Sequence, residues 1–237
     1  MTDKIRGRVN DSILVPKDHG FGLRRVPLES GYFEAYNQAN VHLIDLKKTI
    51  IHQITRNSIR LRDGTEHELD ILVYATGFNA ITGAFGNIDW TGNNGVPLMG
   101  NSDPKKGDGE EAVWVDYRPR TNLGLIVPKS PNMFMILGPH QPLGNAQRST
   151  EHVFQVIVEF STTVEPKEEA VNAWTEHIAD CSEGALLNEV DGWMTGVNKN
   201  VAGKTVRNVA RYAGSGIDFR RRCEESRAAG WDGLDFA

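Results

Sequence analysis

The residues of this chain that could do chemistry are a pair of arginines, an indole set between glycines, and two turns of small residues at the ends of apolar runs. Arg24 and Arg25 follow Lys17-Asp18-His19-Gly20-Phe21-Gly22, a stretch with no apolar period. A guanidinium keeps its charge at any working pH and can hold an anion that develops during a reaction. Paired arginines in a loop are equally the composition of solvated surface, with the stems lying along it. In Tyr74-Ala75-Thr76-Gly77-Phe78, an apolar run ends in small residues, which suits close approach by a ligand or by another backbone. Gly138-Pro139 ends a second apolar run, and a helix start soon after it would offer free N–H groups to an anion or an electron-rich ring. Trp193, in Gly192-Trp193-Met194-Thr195-Gly196, is either core packing or an indole that touches a cofactor.

Other chemistries find little support. The seven histidines show neither H-x-x-x-H nor H-E-x-x-H spacing, so no metal site is expected. Cys181 and Cys223 form no C-x-x-C pair, and Asp89, Asp116 and Glu151 are scattered. Gly214-Ser215-Gly216 lacks the apolar strand and the flanking residues of a nucleophile elbow.

The elements that must position these residues belong to an α/β chain. Its 237 residues suffice for one large or two small domains, with 39% hydrophobic and 24% charged residues. Mean hydropathy is -0.40. A net charge of -5 with dispersed basic residues argues against a nucleic-acid partner. No run approaches the roughly 18 apolar residues of a membrane span, and the first residues carry no apolar leader, so the expectation is a cytoplasmic protein with no membrane partner.

The spacing predicts a short helix over 2–9 and then loop, followed by a meander of short strands over 41–45, 50–54 and 58–61. Asp70 to Ala75 is apolar at nearly every position and predicts a central, parallel strand covered on both faces. Met133 to Leu137 predicts a second buried strand, after an irregular excursion over 86–131. Helical spacing begins at Ser149, with Ser149 or Thr150 as N-cap and Val153, Ile157 and Phe160 on one face. Two further helices are expected, one from Pro166 to about Cys181 carrying Ala170, Trp174 and Ile178, and one near 217–229.

Taken in order, these pieces resemble the C-terminal half of the Baeyer-Villiger monooxygenases, the class B flavin-dependent oxygenases. The resemblance is carried by Ser30-Gly31-Tyr32-Phe33-Glu34, Asn40 to Asp45, Leu69 to Phe78 and Pro131 to Pro139. It continues through Ser149-Thr150-Glu151, Trp193 to Gly196, Gly203-Lys204 and Gly230-Trp231-Asp232-Gly233. Asn122 departs from it, standing where the family usually has Tyr.

The resemblance implies part of a fold with two dinucleotide-binding domains. Residues 1–68 would be the end of the NADPH domain and its linker, and residues 69–237 the C-terminal part of the FAD domain. It implies FAD and NADPH as cofactors, molecular oxygen and a small ketone as substrates, and conversion of the ketone to an ester or lactone through a peroxyflavin. Arg25 matches the family's active-site arginine, and Trp193 the indole that contacts the nicotinamide nucleotide. Ala75, Thr76 and Gly77 match the turn on the flavin side. Gly138, Pro139, Asn145, Ala146 and Gln147 match the loop passing the flavin ring, with Leu143 toward the substrate.

The sequence contains no G-x-G-x-x-G and no F-x-G-x-x-x-H-T-x-x-W. The chain is therefore read as a truncated or split enzyme, inactive alone, with a complementary N-terminal chain or a full-length homologue as possible partner. The alternatives are a non-catalytic remnant that acts as an interaction domain, and a fragment of a nitrogen- or sulfur-oxidising flavin monooxygenase.

Overall fold

The computed structural model describes residues 11–15, 17–24, 26–100, 112–144, 146–159, 163–198 and 204–237. The chain divides into two compact units, the first ending at Gly77 and the second running Phe78–Ala237.

The first unit contains two single-turn helices, α1 (Asp11–Leu14) and α2 (Tyr32–Ala35), and a meander of β1 (Ile51–Ile54), β2 (Ser58–Leu61) and β3 (Glu66–Glu68). Both strand pairs are antiparallel, with Ile54 opposite Ile59 and Ile59 opposite His67. Asp63-Gly64 makes the second turn: Gly64 adopts φ +88° and Asp63 Oδ1 accepts from the Thr65 amide at 2.9 Å. Residues 41–45, expected as the first strand of the meander, are not a strand. The third strand is instead Glu66–Glu68. The helix expected over 2–9 lies outside the described residues.

The apolar run from Leu69 differs most from expectation. It is extended but belongs to no sheet, and Ile71 and Val73 are 79% and 78% exposed. A strand that is apolar on both faces becomes a central strand only when neighbours take up its N–H and C=O groups and further layers cover it. Among the described residues, the backbone of 70–77 makes no hydrogen bond.

The second unit is built around three helices: α3 (Ala146–Glu159), α4 (Glu168–Ser182) and α5 (Gly216–Ala228). In α4 the buried residues are Val171, Trp174, Ile178 and Ser182, a stripe at helical spacing close to the expected one. In α5, Phe219 and Cys223 face the same core, and burial pushes the Cys223 thiol up to about 12. In α3, Val153 and Val156 are buried while Ile157 is half exposed, and Phe160 lies outside the described residues. This helix also starts earlier than expected. Ser149 lies within it, so neither Ser149 nor Thr150 is its N-cap.

The core joins these helices to Leu123, Leu125, Ile126, Tyr212, Trp231 and Leu234. Beside it, β4 (Val164–Pro166) pairs antiparallel with β5 (Leu234–Phe236). Glu159 ties the end of α3 to the C-terminal segment by accepting from Trp231 Nε1 at 2.7 Å and from Arg227 Nε at 2.5 Å.

A second core of Leu98, Val113, Trp114, Val127 and Met135 organises the irregular excursion. It is held by isolated bridges, such as Met99 with Trp114 and Ile126 with Phe134, in place of continuous strands. Met133 to Leu137 accordingly forms no strand: Phe134 makes one bridge, Met135 is buried, and Ile136 and Leu137 are exposed. Among the described residues, no helix is long and apolar enough to cross a membrane.

The Trp174 and Tyr212 rings stack with centroids 5.6 Å apart and planes 14° from parallel, and the buried Trp174 Nε1 has no hydrogen-bond partner among the described residues. Trp174→Ala is expected to cost about 3–5 kcal/mol of unfolding free energy through the cavity it leaves. Trp174→Phe keeps a stacking ring and removes an unpaired buried donor, so it is expected to cost roughly 1 kcal/mol or less. Chemical denaturation of both variants tests the pair, and equal losses would contradict the packing described.

Candidate functional site

The second unit's site is organised by the loop from Met135 to Gln141, which turns back on itself. Gln141 is buried, and both ends of its amide are fully used. Its Nε2 donates to the Gly124 carbonyl at 2.7 Å and to the Met135 carbonyl at 3.0 Å. Its Oε1 accepts from the Leu137 amide at 2.9 Å and from the Ser149 hydroxyl. Two carbonyls beside one end settle which atom is nitrogen, because only the amide NH₂ can donate to both. One side chain thereby joins the bend at Gly124, the loop and helix α3. The close approach requires glycine at 124: φ is +66°, and a Cβ there would lie 2.6 Å from Gln141 Cγ.

His140 is held in the same manner. Its backbone amide donates to Ala210, Nε2 lies 3.2 Å from the Val209 carbonyl, and Nδ1 lies 3.0 Å from Thr121 Oγ1. A carbonyl can only accept, so Nε2 carries the proton and Nδ1 accepts from Thr121. Burial lowers this histidine to about 4, and it stays neutral at physiological pH.

Gln141 and His140 together orient the segment after them in space. The Tyr212 amide donates to the Gln141 carbonyl at 3.2 Å, so Ala210 and Tyr212, on either side of Arg211, are both bonded to the loop. The Tyr212 hydroxyl donates to Asp218 Oδ2 at 2.6 Å, and Ser215 Oγ caps α5 by accepting from the Asp218 amide. Tyr212, followed by Arg221 and Arg222, holds the Asp218 carboxyl well below the usual range. A cavity of about 320 Å³ lies among these pieces, with Leu137, Leu143, Arg148, His152, Arg211 and Phe219 in its wall.

The residues singled out in the sequence are placed as follows. Arg25 and Asn145 lie outside the described residues. Ala75, Thr76 and Gly77 are exposed at the end of the first unit, with Gly77 at φ +85°. Gly138 is half-buried and Pro139 buried at the turn before Gln141, and Ala146 and Gln147 form the exposed first turn of α3. Leu143 is exposed at the mouth of the cavity. Among the described residues, Gly138, Pro139, Leu143, Ala146 and Gln147 lie on the loop and first turn of α3 that Gln141 joins.

Trp193 opens a single 3-10 turn over Trp193–Thr195, is 44% exposed, and lines a separate small pocket with Lys204. Arg148, His152 and Arg211 were not found by sequence reasoning. Each is a lone polar residue with no motif around it, and the folded chain alone brings them together. Among the described residues, no group of His, Cys, Asp and Glu could hold a metal ion.

This fold is part of the two-dinucleotide-domain flavoprotein architecture. The cyclohexanone monooxygenase of Rhodococcus sp. Phi1 bound to NADP+ superposes with a TM-score of 0.80 at 29% identity, over 99% of this chain and 42% of that one. OTEMO in complex with FAD and NADP gives a TM-score of 0.75 at 33% identity, over 99% and 43%. The 2-oxo-Δ3-4,5,5-trimethylcyclopentenylacetyl-CoA monooxygenase of Pseudomonas putida is 34% identical over 99% of this chain and 43% of its own length. No protein-family model matches the chain. By sequence and by structure the chain is similar to Baeyer-Villiger monooxygenases, and it spans less than half the length of these relatives.

Gln141→Leu keeps the volume but leaves two carbonyls and an amide without their partner. At about 1–3 kcal/mol for each buried group, a loss of more than about 3 kcal/mol is expected, measurable as a fall in the denaturation midpoint. His140 adds an acid dependence. Its folded value of about 4 lies below the ordinary 6.5, so the unfolded chain binds the proton first. Its contribution to stability is complete above pH 6.5 and is lost as pH falls toward and through about 4. His140→Gln should flatten the fall in melting temperature across that window, and an unchanged pH profile would refute the neutral, buried assignment.

Proposed function

We propose that this chain forms the C-terminal part of an FAD- and NADPH-dependent monooxygenase of Baeyer-Villiger type, which converts a small ketone and molecular oxygen to an ester or lactone. The observation that carries this reading is the match to such enzymes over 99% of the chain in both sequence and fold.

The residues present fit the ring side of a flavin. The first turn of α3, Ala146 and Gln147, is exposed, and a helix N-terminus suits an electron-rich group. At Gly138 a Cβ would come within 2.8 Å of Met135 Cβ, so that backbone remains bare. The phosphates do not find a cradle in this sequence, which has no glycine-rich strand–turn–helix motif.

When bound, FAD reduced by NADPH would supply the activated oxygen. The chain's own residues would position it. By the resemblance, Asn145, Ala146 and Gln147 would belong to the loop passing the flavin ring, and Ala75, Thr76 and Gly77 to the turn on the flavin side. Leu143 would face the substrate side. By the resemblance, Trp193 would contact the nicotinamide nucleotide, and Arg25 would hold the negative charge that develops on oxygen.

A complementary N-terminal chain, or a full-length homologue, is the partner this reading calls for. The exposed run from Leu69 to Phe78 supports it, since the run is apolar on both sides and its backbone groups are open to pairing. We place the protein in the cytoplasm, which suits two free cysteines, Cys181 and Cys223.

The 237-residue chain purified alone is expected to be colourless on titration with FAD and to consume no NADPH. Mixing it with a chain carrying the N-terminal half should restore ketone-dependent NADPH oxidation. If mixing never does so, the split-enzyme reading fails, and a yellow protein with stoichiometric FAD would show that the phosphate cradle is dispensable.

A further inference from the structure

We infer that the ketone accepted by this site carries an anionic group, a carboxylate or a phosphate, and that Arg211 and Arg148 bind it. The inference rests on the monooxygenase reading and on Leu143 marking the substrate side.

Three guanidinium groups line the cavity that Leu143 opens onto; Arg220 is paired with Glu224, and among the described residues no carboxylate pairs with Arg148 or Arg211. Arg211 is the more telling. It is half-buried, and burial lowers its pKa with no opposing acid among the causes. A guanidinium held partly out of water without a partner is costly, and a ligand anion would offset that cost. The backbone does not leave this placement to chance, because the bonds from His140 to Ala210 and from Tyr212 to Gln141 fix the residues on both sides of Arg211.

Two of the acids nearby are occupied. Asp218 is bonded by Tyr212 and Arg222 and paired with Arg221, and Glu224 engages Arg220 at the rim at 2.6 Å. Neither is left to neutralise Arg211 or Arg148.

A second observation points to a ligand independently of the arginines. His152 is only 5% exposed, lines the same cavity, and has a buried Nδ1 with no hydrogen-bond partner among the described residues. A buried polar atom of this kind normally has a partner, and a ligand oxygen at this wall would provide one. The N-terminal turns of α3 and α5 also contribute to the wall through Arg148, Ser149 and Gly216, adding two positive dipole ends. Leu137, Leu143 and Phe219 supply apolar surface for the carbon skeleton. The combination suits an amphipathic ketone with its charge at one end.

The test is calorimetric titration of the 237-residue chain with 2-oxocyclopentaneacetate, its neutral methyl ester and its coenzyme A thioester. The keto acid or the thioester should bind at least roughly tenfold more tightly than the ester, the loss expected when a charge-assisted contact is removed. Tight binding of the acid assigns the carboxylate, and tight binding of the thioester alone assigns the phosphates. Arg211→Met should remove that preference. Arg148→Gln, at an exposed position, should weaken it by several-fold and serves if the Arg211 variant does not fold. Equal affinity for acid and ester, no binding of either anion, an unchanged preference in the variants, or displacement of the anion by NADP+ would overturn the inference. These outcomes are separate from the monooxygenase reading, which stands or falls on NADPH oxidation in the complemented enzyme.

Discussion

A single buried amide holds the second unit's working surface together. Gln141 Nε2 and Oε1 make four hydrogen bonds to groups from three parts of the chain: the bend at Gly124, the loop at Met135 and Leu137, and helix α3 at Ser149. In a low-dielectric interior such a network is strong only when every member is satisfied, and here each end of the amide is. The loop and the start of α3 therefore move as one body. Leu143 and Arg148 project from that body, and the backbone bonds from Tyr212 and His140 attach the segment bearing Arg211 to it. The wall of the cavity is thus assembled from residues far apart in sequence by bonds that do not themselves touch a ligand.

The two units show different degrees of closure. The second buries a continuous aromatic and aliphatic core, in which Trp174 and Tyr212 stack and Phe219 packs against both. The first has a meander whose β1 strand is exposed throughout and an apolar extended run with no sheet around it. Hydrogen-bonding groups and apolar side chains left open together are what a sheet edge and its covering layer would normally satisfy. Relatives of more than twice this length match the chain over nearly all of its residues. An unpaired apolar run is the expected consequence of describing part of such a fold by itself.

Two helices and the hairpin of β1 and β2 were legible in the sequence, and the long apolar runs were not. The α4 stripe could be read from Trp174 and Ile178, and α5 to within a residue or so, because helical hydrogen bonds are local and the apolar period reports the buried face directly. The start of α3 was misread because Ser149 looks like a cap. Its hydroxyl is instead committed to Gln141, a partner outside the helix. Asp70 to Ala75 and Met133 to Leu137 were read as central strands from composition, but a strand is completed by neighbours, and composition does not supply them. The candidate site divides in the same way. The stretch from Gly138 to Gln147 and Trp193 were recognisable as ordered motifs, whereas Arg148, His152 and Arg211 had no local pattern to mark them.

By itself the sequence determined the course of α4 and α5 and the absence of a glycine-rich phosphate cradle within these residues, which are written in local spacing, while its ordered motifs carried the resemblance to a class of enzyme. Only the tertiary structure decided that Gln141 and His140 are buried ties, that the apolar run from Leu69 stands open, and that Arg148, Arg211 and His152 face one cavity. Those outcomes depend on contacts between distant segments. Burial, which sets the cost of every unpaired polar group, is a property of the folded chain and not of any residue within it.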